Sequence, residues 1–145
     1  MLPPAAFMNY ATFDDKNDEG LLSNIREKLS REVRALTGAE FQIFQDKKDI
    51  SWGQEWQKRI DSSLETSTFL VAFITPSFLN SKYCREELER FLEKESRLGL
   101  SELFLPIYYI RCDQIEEQTL ISDYLVTEIS KRQMFSWVSG SRLSM

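Results

Sequence analysis

Residues 81–95 read SKYCREELERFLEKE, a stretch that holds five glutamates. Taken as a helix, Cys84, Leu88, Phe91 and Leu92 recur at 3.6-residue spacing and mark the face turned to a core. Glu86, Glu89 and Glu93 then point to solvent, while Glu87 falls on the flank of the apolar face, one turn after Tyr83 on the same side. A carboxylate at the edge of a core either pairs with a neighbouring Arg or Lys or is placed there for chemistry, and the spacing fits both. The chain contains no histidine. That removes the usual base of a Ser or Cys nucleophile and the commonest transition-metal ligand, so catalysis here rests on carboxylates, hydroxyls, Lys or Arg.

The elements that must position Glu87 alternate between short apolar runs and longer amphipathic ones, a βαβ pattern that implies a parallel sheet with right-handed crossovers. AAFMNYA (5–11) is the first strand, TFDDKND (12–18) a polar turn, and a helix runs from Glu19 to Leu36, closed by Thr37 and Gly38. AEFQIFQD is a second strand near the sheet edge, DKKDISWGQ a loop, and Gln54 to Glu65 a helix whose Trp56 belongs to the core. STFLVAFIT, apolar on both faces, is a central strand covered by helices on each side. Thr75 caps a short helical turn with Pro76 at its first position. The glutamate-rich helix runs from Ser81 to Leu98 and stops at Gly99. ELFLPIYYI is a fourth strand that Pro106 interrupts, Gln118 to Lys131 a weakly patterned helix, and RQMFSW a short fifth strand.

With 145 residues, 42% of them hydrophobic, the chain supports one core, and residues 1–145 read as a single domain. The polar tail VSGSRLSM suggests a missing or abbreviated final helix and a domain cut from a larger protein. A net charge of −5 without a dense Lys/Arg cluster argues against nucleic acid as a direct ligand. No apolar run approaches a bilayer span and the N-terminus lacks a signal-peptide pattern, so the expected location is cytoplasmic, with no membrane partner. Cys84 and Cys112 read as packing residues, and no metal site is expected.

Ligands of parallel α/β sheets bind beyond the carboxyl ends of the strands. YATFDD, DKKDISWG, TPSFLN and the start of the glutamate-rich helix would meet there in one cleft. These segments, in this order, resemble Toll/interleukin-1 receptor (TIR) domains. FMNYATFDD is similar to the family's first box, FQDKKDISWGQEW to its second box and loop, and TPSFLNSKYCREEL to the segment in which an aromatic residue precedes a glutamate by four. LPIYY and ISKRQ resemble bacterial members.

The resemblance implies a flavodoxin-like α/β fold, three layers α/β/α around a parallel sheet of about five strands. It implies either an enzyme cleaving NAD+ at the nicotinamide–ribose bond, in immune or anti-phage signalling activated by self-assembly, or a non-catalytic interaction scaffold. Glu87 is then the catalytic carboxylate and Tyr83 its aromatic partner, where many enzymatic members have Trp. NAD+ is substrate rather than cofactor; the other expected partners are further copies of the domain and a linked sensor or oligomerising part. Tyr10 and Phe13 would line the cleft, with Phe13 equally suited to plain loop packing. Asp14 and Asp15 would touch ligand or, the favoured reading, cap the turn. Asp46 would order the loop and site, Trp52 would cover the ligand or anchor an interface in preference to the core, and Ser77 would support its turn or contact substrate. A phosphoacceptor receiver domain shares the fold but needs an Asp at the end of the third strand, which here reads FITPS. A nucleoside-transferring glycosylase is closer in chemistry and differs in pocket size.

Overall fold

The structure, a computed structural model, describes residues 3–17, 19–45, 50–62, 66–117, 123–132 and 134–136. Five strands, β1 (Ala5–Asn9), β2 (Gln42–Phe44), β3 (Thr68–Ile74), β4 (Phe104–Tyr108) and β5 (Phe135–Ser136), form one sheet in the order β2-β1-β3-β4-β5. Every pairing is parallel, with Ala5 opposite both Gln42 and Thr68, and Leu70 opposite Phe104. As the sequence implies, β3 is central and β2 is an edge. Pro106 sits opposite Ala72 within β4. Tyr109 donates its N–H to Ile74 on β3, so by alternation position 106 directs its backbone toward β5, which pairs only with Ile107 and Tyr108. The missing N–H of Pro106 therefore faces the β5 side, where no ladder pair of the described residues includes position 106.

Side chains alternate between the two faces of the strands. Phe7, Leu70, Ala72, Ile74, Phe104 and Tyr108 build the larger core together with α3 (Ile50–Asp61), α4 (Pro76–Leu79), α5 (Lys82–Arg97) and α7 (Tyr124–Ser130). Ala6, Met8, Val71 and Phe73 build the smaller one with Leu22 and Ile25 of α2 (Leu21–Thr37). Two short helices, α1 (Thr12–Asn17) and α6 (Asp113–Glu116), follow the carboxyl ends of β1 and β4. No described helix is long and apolar enough to cross a membrane.

Several boundaries differ from the sequence reading. TFDDKN forms α1 rather than a turn, and α2 starts at Leu21 because Glu19 and Gly20 both adopt left-handed backbone (φ 53° and 83°). Gly38 ends α2 as expected, at φ 75° with its N–H on the Arg34 carbonyl. The loop expected up to Gln54 already turns helical at Ile50, and the helix ends at Asp61 rather than Glu65. The helix expected from Gln118 is described only as α7, after the separate turn of α6. The expectation for the tail falls on residues 138–145, outside the described residues.

Candidate functional site

The strand order reverses between β1 and β3, the switch point at which this kind of sheet opens a crevice. Asn9, the last residue of β1, is fully buried and donates its side-chain amide to the Cys84 carbonyl at 3.1 Å. That bond holds the first turn of α5 over the switch point. Ser81 caps α5 by accepting from the Cys84 N–H at 3.2 Å. One turn further along the same face lies Glu87, only 6% exposed. Glu86, Glu89 and Glu93 are exposed, so the helical phase sorted these carboxylates as expected.

Tyr83 stands beside Glu87, 54% exposed. Its phenol is pushed up to about 12, first by partial burial and then by the charge of Glu87 and the hydrogen bond it donates to that carboxylate. The residue is open overall, so the desolvation acts at its hydroxyl end. The pair presents a carboxylate with a ring face and a hydroxyl next to it. Such a carboxylate can oppose a developing positive charge, and the ring can stack on a flat ligand.

Other polar bonds tie the strand ends together at the carboxyl end of the sheet. The Thr75 hydroxyl donates to Asp14 Oδ2 at 2.5 Å and accepts from the Phe78 N–H at 2.9 Å, joining α1 to the end of β3 and the start of α4. A hydroxyl has one proton, so these two bonds fix its direction. Past β4 the Tyr108 hydroxyl donates to Glu116 (2.8 Å) and accepts from the Cys112 N–H (2.8 Å). Burial, followed by the charges of Asp14, Asp113 and Glu116, pushes the Cys112 thiol up to about 12. Such a thiol is a packing group, not a nucleophile.

The remaining predicted residues fall in different places. Tyr10 lies in the core on the α2 side and its hydroxyl donates to the Gln45 carbonyl at 3.2 Å; it faces away from the Glu87 side of the sheet and supports the end of β2. Phe13 is 63% exposed on α1 beyond β1 and is not packed within its own turn. Asp14 is buried and bonded to Thr75, which makes it a tie between elements rather than a cap of its turn. Ser77 is half-buried in α4. Asp46 lies outside the described residues.

Trp52 is a correction. It is 3% exposed, stacked on Trp56 at 5.4 Å and edge-on to Phe7 at 5.2 Å. Because the helix begins at Ile50, Trp52 and Trp56 share one helix face at a spacing of four, and that face is the core. Neither a ligand cover nor an interface anchor is available from that position. Thr75 caps α4 as the sequence implies, and its bond to Asp14 is the new part; Asn9 escaped the sequence reading, and a lone Asn at the end of an apolar strand was the available signal for it.

Among the described residues no group of three or more Asp, Glu, Cys or His side chains could hold a metal ion. A hollow of about 750 Å³ lies elsewhere, at the β2 edge, and none of the candidate site residues lines it.

Strand order, parallel pairing and helices on both faces define a doubly wound, flavodoxin-like domain. Residues 7–140 match the family model of the TIR domain, and the chain belongs to that family. No curated protein and no solved structure matches it significantly.

Proposed function

We propose that this TIR domain is an NAD+ nucleosidase that cleaves the nicotinamide–ribose bond, with Glu87 as the catalytic carboxylate. The observation that carries this reading is the buried Glu87 beside the Tyr83 hydroxyl, one turn along α5 from the bond that ties this helix to the switch point. Nicotinamide leaves a cationic ring as a neutral group, taking the electron pair of the C–N bond, so neither a strong acid nor a histidine is required. Glu87 would stabilise the ribosyl oxocarbenium ion and hold a ribose hydroxyl. Water then adds at the ribose carbon and releases its proton to give ADP-ribose, or an adenine nitrogen closes the ring to give cyclic ADP-ribose. Tyr83 would stack on the leaving ring or its ribose; Phe13, Ser77 and Asp46 are the remaining candidates for the substrate site. NAD+ is the substrate, and no cofactor is invoked. Self-association, driven by a linked sensor or oligomerising part, would switch the activity on in immune or anti-phage signalling.

The burial of Glu87 against Tyr83 also suits a second reading, a non-catalytic scaffold in which the pair only secures α5. Nicotinamide release from NAD+ separates the two, measured for the wild type and Glu87→Gln at high protein concentration and on a crowding surface. Release that disappears in a folded Glu87→Gln supports the enzyme. No release by either protein, with self-association intact, supports the scaffold, and release that survives the substitution removes Glu87 from the chemistry.

A further inference from the structure

We propose that the exposed edge of β2 is a docking site for an extended acidic segment of a partner protein, which adds to the sheet as a sixth strand. The edge forms the floor of the 750 Å³ hollow, contributed by Glu40 to Phe44. One wall is α2, with Arg26, Arg31 and Arg34; the other is α3, with Lys58 and Arg59. Five cationic side chains stand against two acidic ones, Glu40 and Glu55, on a chain whose net charge is −5. The hollow is a local reversal of the protein's overall sign.

Three of the five cations are engaged within the fold. Arg59 is buried and bonded to Thr68, Glu55 and the Pro3 carbonyl. Arg34 pairs with Glu40 at 3.2 Å, and Arg26 donates to Gln45 at 3.0 Å. Arg31 and Lys58 are exposed and have no ion-pair partner among the described residues. They stand on opposite walls of the hollow, one on each side of the β2 edge.

That placement selects the occupant. Among the described residues β2 pairs with β1 on one side only, so its other side offers backbone N–H and C=O groups to an incoming extended chain. Successive side chains of an added strand point to opposite faces. Two adjacent acidic residues on the incoming strand therefore reach the two walls, one toward Arg31 and the next toward Lys58. A helix would not present its backbone to the edge, and a basic or apolar strand would leave both cations uncompensated.

The test uses a fluorescein-labelled seven-residue peptide with adjacent glutamates among threonine and valine, followed by fluorescence anisotropy against the full chain. Saturable binding is expected that weakens at least tenfold in the double variant R31E/K58E, and that weakens as sodium chloride rises from 50 to 300 mM. Both substituted side chains are exposed, so the far-UV spectrum and thermal midpoint of the variant should stay as in the wild type. Two versions of the peptide, N-methylated on alternate sets of amides, test the pairing. One should lose binding because its donors face β2, and the other should keep it. Equal binding of both versions would show a plain anion patch and overturn strand addition. Absence of binding, or binding indifferent to R31E/K58E, would also overturn the proposal and leave the cations as guards against edge-to-edge aggregation.

Discussion

Glu95 is the residue whose removal should cost the fold most for a single charged side chain. It is buried near the end of α5, the helix that carries Glu87. Its Oε2 accepts from the N–H groups of Leu103 and Phe104 at 3.0 and 3.1 Å, and its two oxygens accept from Arg132 Nη1 and Nη2 at 3.0 and 2.5 Å. One carboxylate thus joins α5, the start of β4 and the chain just after α7. Glu95→Ala leaves two buried backbone donors without an acceptor, at about 1–3 kcal/mol each, and strips the guanidinium of its partner. Breaking a buried ion pair costs about 3–5 kcal/mol, and the two costs overlap, so the expected loss is about 4 kcal/mol. That is a large part of the roughly 5–15 kcal/mol that holds a domain together.

Arg132→Ala should cost distinctly less, because Glu95 keeps both backbone donors and stays hydrogen-bonded. Urea unfolding followed by tryptophan fluorescence measures both losses, and an unchanged slope would show that the unfolded state is not the source of the difference. The double variant closes the cycle and isolates the ion pair. A loss under about 1 kcal/mol for Glu95→Ala, or an equal loss for the two single variants, would refute the assignment of Glu95 as the tie between these three elements.

Trp52→Ala should destabilise by about 3–5 kcal/mol, as expected of a large buried aromatic; a near-neutral result in urea unfolding would put Trp52 back on the surface. Asp123 accepts from Arg85 at 2.8 Å and caps α7, and the Arg85 hydrogen bond holds its carboxyl below the usual value. A depressed folded-state value contributes stability above about pH 4 that is lost as the pH falls through that value. Asp123→Asn, which keeps a capping oxygen, should therefore be less stable than wild type at pH 7 by up to about 1 kcal/mol, with the gap narrowing in acid unfolding curves below pH 4. Tyr83 should stay neutral well above pH 10 and ionise near 12, read as tyrosinate absorbance missing in Tyr83→Phe. Because its folded-state value is raised, its contribution to stability is full below about pH 10 and fades as the pH climbs toward 12. In Glu87→Gln the Tyr83 transition should move part of the way back down, since the partial burial that raises it most remains while the charge of Glu87 is gone.

The periodicities of the sequence determined the order and type of the strands, the edge position of β2, the cap at Thr75 and the phase of α5 that buries Glu87 among solvent-facing glutamates. These are local properties: a helix has one apolar face, and an odd carboxylate on it is visible from spacing alone. Where the chain next to the strand ends would go was not local. Residues 50–53 contain Gly53 and read as loop, yet two tryptophans four residues apart gain more by turning inward onto Phe7 than by staying open. Tyr10 looked like a cleft residue because it follows β1, but strand alternation sends it to the α2 face. The pairs Asn9 with Cys84, Asp14 with Thr75 and Glu95 with Arg132 join positions 37 to 75 residues apart. Only the folded sheet brings such groups within hydrogen-bond distance, so the tie of α5 to the switch point and the anchoring of its far end were decided by tertiary structure.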